Sequence, residues 1–77
     1  MKYTIEGYVA SQQNVDRAIW AEKAINTFRH ETGTDPEDAI CDLLGDLMHY
    51  AAQNGYDFEH ELERGRWHFE AELGGEG

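Results

Sequence analysis

Four side chains raise the first chemical question. Asp38, Asp42, Asp46 and His49 recur at four-, four- and three-residue spacing, which places them on one face of a helix. Asp46 and His49 stand three apart, the acid-x-x-His spacing with which helical di-metal sites hold their ions. Such a site turns its ligands inward and draws further acids from other helices. Here Leu44 and Leu47 occupy the opposite face, and they are expected to take the inside, so the carboxylates are expected to face water. A metal-dependent enzyme built on Asp42, Asp46 and His49 therefore stands last among the readings, and no metal or other cofactor is expected.

A denser pattern contains the same residues. Asp35, Glu37, Asp38, Asp42 and Asp46 would spread over ~16 Å of helix at ~1.5 Å per residue. That is one charge per ~4 Å, close to the ~3.4 Å between phosphates along one DNA strand. Glu59, Glu61, Glu63, Glu70 and Glu72 could extend the row. A row of this density fits a channel that a partner lines with lysine and arginine. The plain alternative is an ordinary solvated helix face. Against it, the row has no lysines placed four residues on, as a face tuned for helix stability would have. Trp67 and Arg64 are a second candidate surface, because an exposed tryptophan beside arginine is the composition of an interface anchor. The alternative there is that an N-terminal strand covers Trp67.

Little else offers chemistry. His30, His49, His60 and His68 are scattered. Cys41, the one cysteine, sits between Asp38 and Asp42, a poor setting for a nucleophilic thiolate. There is no Ser-His-Asp set, glycine-rich phosphate loop or C-x-x-C. The expectation is a protein that binds rather than catalyses.

The elements that must position these residues can be read from periodicity and caps. Residues 1–10 alternate as a strand or extended segment, with Tyr3, Ile5 and Val9 on one face. A first helix is expected over 15–32, with Ala18, Ala21, Ile25 and Phe28 as its stripe and Gly33 as its stop. A second is expected over 35–54. It opens on Thr34-Asp35-Pro36-Glu37, closes on Asn54-Gly55-Tyr56, and shows an apolar face of Ile40, Leu43, Leu44, Leu47, Met48 and Ala51. A third runs over 57–73 from an Asp57 cap, with Phe58, Leu62, Gly65, Phe69 and Leu73 on one face. Gly65 in that stripe suggests close approach of a neighbouring helix. Residues 74–77 make a glycine-rich tail. The expected fold is mainly α, a single domain over 1–77: a three-helix arrangement with a short N-terminal β-strand or extended segment.

Charge narrows the choice of partner. The chain carries 16 acids against 6 lysines and arginines, for a net charge of −10. The bias is not uniform. Met1 to His30 holds three acids and four bases, whereas Glu31 to Gly77 holds thirteen acids and only Arg64 and Arg66 as bases. Direct contact with nucleic acid or an anionic membrane is thus disfavoured, and basic protein surfaces are favoured. One cysteine excludes an internal disulfide. No leader or membrane span is visible, so a cytoplasmic setting is expected.

The stretch TDPEDAICDLLGDLMHYAAQNGYDFEHELERGRWHFEAE resembles small proteins carried by bacterial phages and plasmids, including inhibitors of host defence of the anti-CRISPR and anti-restriction kind. That resemblance implies blockade of a nucleic-acid-binding surface and carries over no individual residue. The combined expectation is an acidic inhibitor of a basic nucleic-acid-binding protein or complex. Its contact residues are expected to be Asp35, Glu37, Asp38, Asp42, Asp46, His49, Arg64 and Trp67. A structural or regulatory homodimer, joined through the Tyr3 to Val9 strand and off-stripe aromatics, is the alternative.

Overall fold

A computed structural model of the chain describes Tyr8 and residues 10–73. The expected strand over 1–10, apart from Tyr8 and Ala10, and the tail over 74–77 lie outside the described residues. The rest is mainly helical: α1 (Gln12–Thr32), a single 3-10 turn (Pro36–Asp38), α2 (Ala39–Asn54) and α3 (Phe58–Leu73).

Capping chemistry sets each boundary. Ser11 caps α1, its hydroxyl accepting the Asn14 N–H at 3.2 Å. The helix therefore starts at Gln12, not at Val15. The run expected to be a polar connection, Ser11 to Asn14, is its cap and first turn, because serine at the cap satisfies an amide that the helix itself cannot. Gly33 ends α1 in the left-handed region (φ 74), where a Cβ would be strained. The next helix expected over 35–54 comes in two pieces. Asp35 and Pro36 open the tight 3-10 turn, and α-helical bonding begins only at Ala39. At the far end Gly55 is again left-handed (φ 78), and the Tyr56 N–H reaches back to the Ala51 carbonyl at 2.9 Å. That is the 6→1 bond of a Schellman stop. Tyr56 then stacks on Tyr50, with ring centroids 6.4 Å apart. Asp57 caps α3 by accepting the His60 N–H at 3.2 Å.

Both α1 and α3 pack on α2, and the chain closes where the end of α3 returns to the start of α1. Asn14, 6% exposed, donates its side-chain amide to the Glu72 carbonyl at 3.1 Å. Arg17 donates to the Asn14 side-chain oxygen and pairs with the Glu72 carboxylate, each at 3.1 Å. Tyr8 stacks on Phe69 beside this clamp, centroids 6.3 Å apart. At the other end of α1, Arg29 donates to the Thr34 carbonyl and ties down the connection to α2.

The core between these closures is thin. Among the described residues the buried apolar side chains are Ala39 at 2% and Ala51 at 5% exposure, and no large side chain is fully buried. The leucine face of α2, expected inside, is open: Leu44 and Leu47 are each 42% exposed, and Ile40 and Met48 more so. The physical reason is geometric. α1 and α3 each grip α2 over part of its surface, and among the described residues no further element lies over the leucines between them.

The polar clamp has to carry more of the tertiary structure than it would in a fuller core. Asn14→Ala should cost about 1–2 kcal/mol of unfolding free energy. The exposed neighbour change Gln13→Ala should stay within ~0.5 kcal/mol. Urea titration followed by circular dichroism measures both, and equal effects would refute the assignment.

Candidate functional site

The acidic row is not one continuous α-helical stripe. Asp35 and Glu37 belong to the start of the 3-10 turn, Asp38 joins that turn to α2, and only Asp42 and Asp46 lie within α2. The change of helix type between Pro36 and Ala39 alters both rise and rotation per residue, so the even 16 Å spacing read from the sequence does not apply across it. All five carboxylates are exposed.

Asp42, Asp46 and His49 come together on one side of α2. With Cys41 and Gly45 they form one wall of a shallow cleft of about 390 Å³, and Phe28, Thr32 and Thr34 form the other. Sequence reasoning missed the α1 side of this cleft. Phe28 had been placed in a core stripe, and nothing local signals that Thr32 and Thr34 turn toward the acids. Polar contacts organise the rim. The Thr32 hydroxyl lies 2.9 Å from both the Phe28 carbonyl and the Thr34 hydroxyl and gives its single proton to one of them at a time, and Thr34 donates to Asp42 at 3.3 Å. One carboxylate oxygen of Asp42 is thus held by a neutral donor, which fixes its position without cancelling its charge.

Ion pairing among the described residues bypasses α2. Among the described residues the ion pairs are Arg17–Glu72 at 3.1 Å and Arg64–Glu61 at 3.0 Å. Neither touches Asp38, Asp42 or Asp46. Four potential ligands (Cys41, Asp42, Asp46 and His49) border the cleft, yet no three His, Cys, Asp or Glu side chains among the described residues are placed to hold a metal ion. Cys41 is a free, exposed thiol.

Arg64 and Trp67 stand apart from the cleft, which takes no lining residue from α3. Arg64 is occupied by Glu61 one turn earlier, an exposed pair worth about 0–1 kcal/mol. Trp67 is 76% exposed.

No protein-family model, curated protein or solved structure matches the chain. The functional reading therefore rests on the chemistry of its own surface. No helix among the described residues is long and apolar enough to cross a membrane.

An indole this exposed should be expendable for stability. Trp67→Ala is expected to change unfolding free energy by less than ~0.5 kcal/mol. A loss of several kcal/mol in a thermal or urea melt would mean that Trp67 is covered in the folded protein.

Proposed function

We propose that this chain is a non-catalytic acidic binding protein that occupies the lysine- and arginine-lined surface with which a partner holds nucleic acid. The observation that carries this reading is the state of the carboxylates from Asp35 to Asp46. They are solvent-exposed, and no lysine or arginine among the described residues pairs with them. Exposed charge left unbalanced inside a small protein raises its self-repulsion, and the same charge becomes favourable when a basic surface approaches.

On this reading Asp42 and Asp46 at the mouth of the α1–α2 cleft, with Asp35, Glu37 and Asp38 beyond its edge, steer the partner and make the polar contacts. His49 borders the same cleft, and Thr34 keeps Asp42 in place. Trp67, with Arg64 beside it on α3, offers a second, apolar anchor. The resemblance to phage- and plasmid-borne inhibitors suggests a host defence complex as the setting, where filling the channel would exclude the nucleic acid.

The test is capture of partners from bacterial lysate on the immobilised chain, followed by titration of a retained protein. The reading expects the retained protein to be basic, its affinity to fall with added salt, and nucleic acid to compete with the chain. Combining Asp42→Lys with Asp46→Lys should weaken binding about ten-fold or more. Glu22→Lys, at an exposed site on α1, should have a much smaller effect. Equal losses from both changes would reduce the effect to overall charge and remove the role of the cleft.

A further inference from the structure

Asn54 and Gly55, which stop α2, are also a chemically reactive pair of neighbours. Asparagine is a thermolabile side chain. A glycine after it has no Cβ, so nothing shields the next backbone nitrogen from the side-chain amide carbon of the asparagine. The chain's other asparagines, Asn14 and Asn26, are followed by Val15 and Thr27, whose β-branched side chains crowd the same approach. Asn54 and Gly55 are both exposed, so water and base reach them.

Two hydrogen bonds of the folded chain oppose the reaction. The Asn54 side-chain amide donates to the Tyr50 carbonyl at 2.8 Å, which draws the side chain back toward the preceding turn. The Gly55 N–H donates to the Ala51 carbonyl, so the proton that must leave the attacking nitrogen is engaged. The Tyr56 N–H reaches the same carbonyl at 2.9 Å. Attack therefore requires the last turn of α2 to open. A helix end at the surface opens locally far more often than a whole chain unfolds.

We propose that Asn54 is a site of spontaneous deamidation gated by the stop of α2, and that its product loosens the apolar groove between α2 and α3. With the last turn open, base takes the Gly55 N–H proton and the nitrogen bonds to the Asn54 side-chain amide carbon. The bond from that carbon to the side-chain nitrogen breaks, ammonia leaves, and a cyclic imide is formed. Water then adds to one of the imide carbonyls. Opening at one leaves aspartate at position 54, and opening at the other leaves isoaspartate, with the main chain running through the former side-chain carbon. No oxidant or reductant takes part.

Either product weakens the stop. A carboxylate has no proton to give the Tyr50 carbonyl, and its negative charge sits at a helix C-terminus, where the dipole disfavours it. Isoaspartate also adds a carbon to the main chain and shifts Gly55 and Tyr56 out of register with Ala51. Tyr50, Ala51 and Tyr56 line the α2–α3 groove of about 420 Å³ beside Leu47 and Phe58, and Tyr56 stacks on Tyr50. A change at position 54 thus reaches the groove through residues on either side of it. The inference does not rest on the acidic-binding reading, since no residue from Asp35 to Asp46 takes part.

The experiment is prolonged incubation of the full chain at mildly alkaline pH, with and without denaturing urea, followed by peptide mass spectrometry. The expected result is amide-to-acid conversion concentrated at Asn54, as a mixture of aspartate and isoaspartate that chromatography separates. Conversion should be about ten-fold or more faster in urea, where the gate is gone. Asn54→Asp, which installs one product directly, is expected to melt a few degrees below the parent chain and to exchange its Gly55 and Tyr56 amide hydrogens faster. Equal rates with and without urea overturn the gate. Conversion at Asn54 no faster than at Asn14 and Asn26 in the unfolded chain overturns the site. An Asn54→Asp chain that melts and exchanges like the parent overturns the effect on the groove.

Discussion

Closure of the three helices depends on one polar junction. Glu72 lies at the end of α3, where helix carbonyls have no partner of their own. Asn14, in the first turn of α1, donates to that carbonyl, and Arg17 brings a positive charge to the same helix end, where the dipole favours it. The junction is nearly out of solvent at Asn14, so its hydrogen bonds face little competition from water. Remove it and, among the described residues, α3 is tethered to the rest through α2 and the Tyr8–Phe69 stack. In a larger domain an extensive apolar core would make such a clamp secondary. Here, with two alanines as the buried apolar side chains among the described residues, it is the principal long-range constraint.

α2 is the element that this closure places at the centre, and it serves two surfaces at once. One side contributes Asp42, Asp46 and His49 to a polar cleft shared with α1. The other contributes Leu44, Leu47 and Ala51 to an apolar groove shared with α3. The two differ in what they can recognise, because the cleft attracts through charge and the groove through exclusion of water.

What could be read from the sequence was whatever local chemistry dictates. The stops at Gly33 and Asn54-Gly55-Tyr56, the Asp57 cap and the proline-marked entry to α2 all act within one or two turns, and those residues announce themselves. Asp42 and Asp46 are exposed, but not because the leucines opposite them turn inward, since Leu44 and Leu47 are exposed too. Asn14 and Arg17 were illegible because their partner is Glu72, far away in the chain, and an asparagine near a helix start looks like loop. The leucine face was misjudged for a related reason. Periodicity says which residues share a face, but what covers that face depends on how many elements the chain can lay over it. The split of the acidic row turned on a single 3-10 turn, a distinction that Thr34-Asp35-Pro36-Glu37 does not make.

The scarcity of buried positions bears on how this sequence can diverge. Asn14, Arg17, Gly33, Ala39, Ala51 and Gly55 are the sites that the folded chain itself constrains most tightly, by hydrogen bonding, burial or backbone conformation. Among the other described residues, outside the capping side chains and the half-buried apolar positions, the isolated fold constrains substitution far less. An apolar residue retained at Leu44, Leu47 or Leu62 across diverging lineages would thus record selection by whatever rests on it. In this protein the history of its leucines is a record of its company.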